Sequence, residues 1–308
     1  MNALHPAWAI LLTALAVLCS LAMSRRQVVP LKQGRFDSID GLRGYLAFFV
    51  FLHHSAIWYF YVQTGVWQAP ASNLYRQLGE ASVSMFFMIT SFLFYTKLLE
   101  SKGGKFDWSK FFVGRILRLT PLYLFAVIIV FVLVTIASNG VAQDSALYIT
   151  KSIVRWLSFT ILGAPDINQV DARIMVAGVV WSLPYEWIFY FALPLLGLTA
   201  RVRAAWPLLA FSVASLVFAA MQGLTLYFAY IFAAGMIAAL LVRDARFKRF
   251  AAGRGASMVV VVLALLLLLF PTAFGMAQLV LLTAAFSLIA AGTSFFRSAH
   301  LRGIEMVW

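Results

Sequence analysis

Apolar residues dominate this chain in long, nearly uninterrupted stretches that are separated by short polar segments. A helix that crosses a membrane needs about 20 mostly apolar residues, and nine stretches of this kind occur. The pattern predicts an all-α integral membrane protein whose roughly nine transmembrane helices form one bundle. The predicted spans are residues 5–23, 43–62, 80–98, 117–137, 178–199, 205–222, 224–242, 256–273 and 275–294.

The two ends of the chain suggest how it is divided. No positive charge precedes the first apolar stretch, and Arg25 and Arg26 follow it, which is typical of a retained anchor with its N-terminus outside. We predict a transmembrane anchor with a basic cytoplasmic loop (residues 1–34) and a membrane domain (residues 35–308). Residues 301–308 have the pattern of a turn that enters another helix. We therefore expect the natural chain to continue beyond residue 308, which leaves the last helices of the domain incomplete.

The basic residues are distributed unevenly between the two sides of the predicted membrane. If residue 1 is outside, twenty of the 24 Lys and Arg residues fall in cytoplasmic segments, and only Arg76, Lys151, Arg155 and Arg173 remain outside. Lys and Arg concentrate in the cytoplasmic loops of membrane proteins. The distribution therefore predicts cytoplasmic faces at residues 25–42, 97–116, 200–204 and 243–255.

The longest outer segment covers residues 138–177. Within it, residues 149–162 are apolar, but the stretch is short and carries Arg155. A short amphipathic stretch of this kind lies in the membrane interface more readily than it spans the bilayer. We predict an interfacial or re-entrant helix at this place.

Composition narrows the class of protein further. The chain is 63% apolar and 11% charged, with a mean hydropathy of +0.91, whereas soluble domains are about 45–50% apolar and about 25% charged. A water-soluble globule is therefore excluded. The net charge of +13 is placed to face anionic membrane lipid, so we expect no nucleic-acid partner. The single cysteine, Cys19, excludes a disulfide framework and any metal site built from cysteines.

Ionisable residues inside the predicted spans are the first candidates for chemistry, because a charge there is costly. Arg43, His53, His54 and Glu186 stand out. Arg43 and His54 are eleven residues apart, which is three helical turns plus about 20° and a separation of about 16 Å along the axis. They share one face of the helix, and His53 points about 80° away. The plainer alternatives are that Arg43 anchors the helix end and that His54 makes a polar contact between helices. Their position on one face favours a functional role for both residues.

Four short motifs carry a resemblance to a known family. They are IDGLRG (39–44), with ten residues between Arg43 and His54, FFMITSFL (86–93), RILRLTPLY (115–123) and WSLPYEWIFY (181–190). In this order, they resemble the motifs of the acyltransferase 3 family, multi-pass inner-membrane enzymes that acylate carbohydrates and related acceptors. The resemblance covers about residues 35 to 195.

The resemblance implies an acyltransferase of the bacterial inner membrane. Its donor would be cytoplasmic acetyl-CoA or another acyl-CoA, and its acceptor a hydroxyl of an extracytoplasmic or lipid-linked glycan. It implies no metal. The implied residues are His54, Glu186 and Arg43 for catalysis, Arg43, Arg115, Arg118 and Tyr123 for the donor, and Asp40, Trp181, Ser182 and Glu186 for the acceptor.

Elementary chemistry supports several of these roles. Acyl transfer from a thioester to a hydroxyl needs a base, and a neutral imidazole such as His54 suits this near pH 7. Arginine binds phosphates through paired contacts, and Arg115 and Arg118 share a face at a cytoplasmic helix start. The Glu186 carboxylate, about a third of the way in from the outer side, would orient the acceptor or the base. Membrane anchoring by the arginines, and an ion pair or a hydrogen bond from Glu186 to a nearby Tyr or Trp, remain alternatives.

The chain departs from the family pattern within the second of these motifs, and its buried charges also allow a rival function. Thr90-Ser91 stands where the family has Ser-Gly, and we expect the missing glycine to hinder close helix approach there. We assign no catalytic role to that segment. The rival is a transporter or flippase whose buried charges line a pathway. A purely structural scaffold would leave Arg43, His54 and Glu186 unexplained.

Overall fold

The computed structural model describes residues 4–24, 37–101 and 106–293, although a few side chains within these ranges, including those of Asp40 and Arg254, are not described. The regular elements of the described residues are twelve α-helices and one 3₁₀ helix. In chain order they are α1 (Pro6–Ser24), α2 (Asp37–Thr64), α3 (Asn73–Glu100), α4 (Trp108–Ala137), α5 (Ala146–Leu157), α6 (Ala172–Met175), the 3₁₀ helix (Val179–Ser182), α7 (Leu183–Thr199), α8 (Trp206–Met221), α9 (Leu226–Leu241), α10 (Ala245–Ala251), α11 (Arg254–Leu267) and α12 (Met276–Ala290).

Each of the nine predicted apolar stretches contains a helix, which confirms the all-helical membrane architecture. Within the described ranges, four helices are long and apolar enough to cross a membrane, namely α2, α3, α4 and the 3₁₀ helix with α7. The pair α9 and α10, bent by 98°, would make a fifth. The others are shorter: 16 residues, as in α8, rise only about 24 Å, less than the hydrocarbon core of about 30 Å. The number nine and the orientation remain predictions.

Several predicted features lie outside the described residues. These are most of the basic loop before α2, with Arg25 and Arg26, and the turn at residues 301–308. Lys102 and Lys105, which were counted as cytoplasmic, also lie outside the described ranges.

The structure divides into two compact units, and the first contains residues 1–97 and 226–308. The most buried helix here is α12, which contacts α2, α9 and α11. The ring of Phe286 on α12 meets the ring of Phe92 on α3 edge to face at 5.8 Å. The helix α1 packs through Ala9 against Leu52 and Ala56 of α2. These contacts place α2 and α3 against a well-packed helical core.

The expectation that Thr90-Ser91 hinders close helix approach is wrong, because a glycine on the facing helix restores it. Gly235 of α9 lies so close to α3 that an added Cβ would overlap the Ser91 hydroxyl and the Met88 carbonyl oxygen. Small residues at an interface let helix backbones approach closely. In this chain Gly235 therefore provides the close approach of α9 to α3.

The second unit contains residues 98–225. One face of α4, which includes Tyr123, Val127 and Val130, packs against the fully buried Trp156 of α5. The helices α7 and α8 form the largest helix–helix contact of this unit. Asp107 starts α4 by accepting a hydrogen bond from the Lys110 backbone amide at 2.8 Å, which satisfies one of the free amides at the helix start.

The short amphipathic helix predicted at residues 149–162 is present as α5, shifted toward the N-terminus. Ser145 caps its start, so the helix begins three residues before the predicted apolar stretch. Its end at Leu157 is set by Phe159 and Thr160, both with a φ of +55°, which cannot continue a right-handed helix. Trp156 faces the core of the unit and Arg155 is exposed. Its placement in the membrane interface remains a prediction.

Candidate active site

Arg43 and His54 lie on one unbroken helix, as the spacing predicts. The helix α2 runs for 28 residues from Asp37 to Thr64, and both side chains are half-buried. Eleven residues of regular helix place them on one face, about 16 Å apart along the axis. The structure thus provides a continuous stripe with a guanidinium near one end and an imidazole in the middle.

His54 has a ring nitrogen that is free to interact. Its Nδ1 is buried, and among the described residues it has no hydrogen-bond partner. A buried polar atom without a partner costs about 1–3 kcal/mol, so such atoms in a native structure call for an explanation. A bound substrate or water would supply the missing partner.

His53 is held quite differently, although its ring lies only 5.1 Å from that of His54. Its side chain is buried, and Nδ1 is 2.8 Å from the Tyr75 carbonyl oxygen on α3. Gly79 on α3 makes room for the ring, because a Cβ there would lie 2.5 Å from His53 Cδ2. His53 therefore joins α2 to α3, whereas the Nδ1 of His54 has no hydrogen-bond partner among the described residues.

In the second unit, Tyr190 joins two of the predicted site residues. Its hydroxyl donates a long hydrogen bond of 3.5 Å to Glu186 Oε2, one turn earlier on α7. The same hydroxyl is hydrogen-bonded to the side chain of Arg115 on α4. Tyr190 is only 3% exposed and both of its partners are half-buried, so the guanidinium, the phenol and the carboxylate form a partly buried polar group. The motif that contains Glu186 also contains Tyr190, but the sequence analysis did not single the tyrosine out.

The shared contact with Tyr190 brings together two residues that the sequence analysis assigned to different parts of the membrane. The sequence places Arg115 near the cytoplasmic end of α4 and Glu186 nearer the outer side, and in the structure both reach the Tyr190 hydroxyl. Their depths in the membrane remain predictions. The reason for the shared contact is the antiparallel packing of α4 and α7, in which Trp108 lies against Gly197 and Phe111 against Tyr190. Arg115 comes seven residues after Trp108 and Tyr190 seven residues before Gly197, so each lies about 10 Å along its helix from the contact of Trp108 with Gly197.

The two other donor-site candidates on α4 have contrasting surroundings. Arg118 is exposed, and no ion pair or hydrogen bond joins its side chain to the described residues. Tyr123 is buried, donates a hydrogen bond to the Trp156 carbonyl oxygen at 2.5 Å, and stacks on Phe159 with ring centroids 4.6 Å apart. The structure thus gives Tyr123 a packing role, while its predicted contact with the donor remains a prediction.

The structure describes the side chains of two further acceptor-site candidates, Trp181 and Ser182. Trp181 is 39% exposed and its ring lies edge to face with Tyr185 at 6.0 Å. The Ser182 hydroxyl donates to the Val179 carbonyl oxygen at 3.2 Å within the 3₁₀ turn. Asp40 lies in the first turns of α2, but its side chain is outside the described part of the structure.

The sequence analysis missed Glu80, which the structure shows to be strongly engaged. Its Oε2 accepts hydrogen bonds from the Thr272 hydroxyl at 2.5 Å and from the Ala273 amide at 2.7 Å. Gln77, one turn earlier on α3, donates to the Phe270 carbonyl oxygen at 3.1 Å. Together they hold the connection between α11 and α12 against α3. The sequence did contain a signal for this role, because the Glu80 carboxylate lies at the first position of the predicted span 80–98.

The chain is similar to a known protein family over most of its length. Residues 36–305 match the profile of the acyltransferase 3 family, which is described as an acyltransferase domain. No curated protein and no solved structure matches the chain. Among the described residues, no group of three or more His, Cys, Asp or Glu side chains is placed to hold a metal ion. The family match extends well beyond the four motifs and covers most of the sequence, so this multi-pass membrane protein belongs to the acyltransferase 3 family and is an acyltransferase that transfers groups other than aminoacyl groups.

Proposed function

We propose that the protein transfers an acetyl group from cytoplasmic acetyl-CoA, or a related acyl group from its acyl-CoA, to a hydroxyl of an extracytoplasmic or lipid-linked glycan in a bacterial inner membrane. The observation that carries the proposal is the unpartnered Nδ1 of His54 on the same helix face as Arg43. Family membership favours an acyltransferase over the transporter that the buried charges alone would also allow.

The proposed reaction converts a thioester and an alcohol into an ester and a thiol. His54 removes the proton of the acceptor hydroxyl as its oxygen attacks the thioester carbonyl. A C–O bond forms, the C–S bond breaks, and the proton passes from His54 to the departing CoA thiolate. An acyl-imidazole intermediate on His54 is the alternative route to the same products.

The arginines are proposed to bind the phosphates of the donor, in line with the preference of guanidinium groups for phosphate oxygens. Arg118 suits this role best, because it is exposed and unengaged by the described residues. Arg43 would bind the donor at the start of the α2 stripe. Arg115 is also hydrogen-bonded to Tyr190, so in our proposal it both attracts phosphate and positions Glu186.

The acceptor is proposed to bind through groups that recognise sugar hydroxyls. Glu186, Asp40 and Ser182 offer hydrogen-bonding oxygens, and the exposed indole of Trp181 offers an apolar face. Glu186 is the most informative of these, since its carboxylate is also hydrogen-bonded to Tyr190, which contacts Arg115.

Release of the CoA thiol by the purified protein tests the proposal. Acetyl-CoA is supplied with and without a glycan acceptor, and free thiol is measured over time. We expect acceptor-dependent, saturable thiol release, and we expect Arg43→Lys and Arg118→Lys to raise the KM for acetyl-CoA. Arg203→Lys, an exposed arginine outside the proposed site, is the matched control. Unchanged KM values in both site variants would show that these two arginines only anchor the helices in the membrane. Absence of thiol release with every acceptor would contradict the proposed donor.

A further inference from the structure

An apolar groove of about 620 Å³ lies within the first unit, bordered by α9, α10, α11 and α12. Its walls include Ile237, Phe250 and Val280, which are 49%, 61% and 67% exposed. The lining residues with polar side-chain atoms are Tyr230, Thr283 and Ser287. None of these side chains belongs to the proposed catalytic groups, so the groove needs an explanation of its own.

The groove has the length of one membrane leaflet. Along α9 its lining extends from Tyr230 to Leu241, and along α12 from Met276 to Leu288. Eleven or twelve helical residues rise about 16–18 Å, close to half of a hydrocarbon core about 30 Å thick. The groove therefore fits an acyl chain that belongs to a single leaflet.

One end of the groove is strongly basic. The chain bends by 98° between α9 and α10, and Phe247 and Phe250 of α10 line the groove. The same short helix exposes Arg246, Lys248 and Arg249. Asp244, the nearest acidic residue in sequence, accepts hydrogen bonds from two backbone amides of α10, each at 2.8 Å. Three cations thus stand beside the apolar groove at the place where its wall turns.

A buried hydroxyl near the same end adds a polar feature. Ser287 is 1% exposed and lines the groove, and within the described part of the chain its Oγ has no hydrogen-bond partner. The helices α11 and α12 are antiparallel neighbours joined by a short connection. The last turns of α12, which contain Ser287, therefore lie at the end of the groove where α10 precedes α11.

We infer that this groove binds an anionic membrane phospholipid, with an acyl chain along α9 and α12 and its phosphate held by Arg246, Lys248 and Arg249. An ester carbonyl oxygen of the lipid supplies the acceptor that Ser287 lacks. Basic side chains at a membrane surface attract anionic lipid, and an apolar groove that ends at such side chains holds the chain and the headgroup together. The inference is independent of the proposed acyl transfer.

Native mass spectrometry of the delipidated full chain tests this inference. Phosphatidylglycerol and phosphatidylcholine with the same acyl chains are titrated separately. We expect phosphatidylglycerol to bind at lower concentration, and neutralising Arg246, Lys248 and Arg249 to Gln to weaken it about fivefold for each side chain. The matched control neutralises Lys110, Arg201 and Arg203, which are exposed elsewhere in the chain, and we expect it to change little.

A second pair of variants tests the groove itself. Ala284 is exposed and lines the groove, whereas Ala277 is exposed on the same helix and does not. We expect Ala284→Trp to fill the groove and abolish binding of both lipids, with Ala277→Trp binding as wild type. Equal binding of the two lipids, or equal effects of the two tryptophans, would overturn the inference. Tighter retention of palmitoyl-CoA than of phosphatidylglycerol, or displacement by inorganic phosphate, would overturn it as well.

Discussion

His53 Nδ1 lies 2.8 Å from the carbonyl oxygen of Tyr75, so the histidine next to His54 is committed to holding two helices together. The ring rests against Gly79, one turn after Tyr75 on α3. The two adjacent histidines therefore have separate tasks. His53 fixes the position of α2 against α3, and His54 keeps its Nδ1 available.

Gly79→Ala tests this packing directly. The new Cβ would overlap the His53 ring, and overpacking of this kind costs about 1–3 kcal/mol. We expect a lower free energy of unfolding, measured by thermal or denaturant unfolding in detergent. Gly114→Ala is the matched control, because an added Cβ at that helical position meets nothing within 4 Å. If both alanines are equally harmless, His53 is not packed against α3 as described.

Gly235→Ala should be more damaging than Gly79→Ala. Here the Cβ would meet the Met88 carbonyl oxygen as well as the Ser91 side chain, and a backbone atom cannot turn away as a side chain can. We expect α3 and α9 to separate and the yield of folded protein in the membrane to fall. Gly255→Ala, on α11 with open space around the added Cβ, serves as the control. A Gly235→Ala protein with wild-type stability would show that α3 and α9 are further apart than in the structure.

Tyr190→Phe removes only the hydroxyl that joins Arg115 to Glu186. Hydrogen bonds to charged groups contribute about 1.5–3 kcal/mol, and the loss leaves both charges without this contact. We expect lower stability and a reduced kcat, with Glu186→Gln showing the same loss of transfer at normal expression. The control is Tyr59→Phe, whose tyrosine is 49% exposed. Full activity in both the Tyr190 and Glu186 variants would show that the contacts of Arg115, Tyr190 and Glu186 serve stability only and not acyl transfer.

Cysteine labelling tests the predicted orientation. In a background where Cys19 is replaced by serine, a membrane-impermeant thiol reagent added from outside should label cysteines placed at Ser72 and Asn139. It should not label a cysteine at Arg249, because the basic segment after α9 is predicted to be cytoplasmic. Outside labelling at position 249 would reverse the topology and with it the side from which the donor enters.

The helices were predictable because a run of about 20 apolar residues carries its own signal in any context. The face shared by Arg43 and His54 was predictable for a similar reason, since it depends on spacing within one helix. The ends of α5 were not, because they depend on the Ser145 cap and on the left-handed backbone of Phe159 and Thr160. Neither feature shows in a hydropathy pattern.

Contacts between residues distant in sequence were also beyond prediction. Glu80 and Thr272 are 192 residues apart, and Arg115 meets Tyr190 from another helix. Such pairings depend on how helices pack, and a single sequence carries no periodic signal for them. The same holds for Gly235, whose role becomes evident only when α9 is seen against Ser91.

Comparison of His54→Ala with His53→Ala is the measurement that tests the central claim most directly. Acyl transfer to a glycan acceptor is measured in membranes at matched amounts of folded protein, with thermal stability followed in parallel. General base catalysis contributes about 10²–10⁴-fold in rate. We therefore predict that the rate of acyl transfer falls by at least about 10²-fold in His54→Ala, while the protein remains folded. His53→Ala should be less stable yet still active per folded molecule. An active His54→Ala protein together with an inactive, normally stable His53→Ala protein would contradict the account.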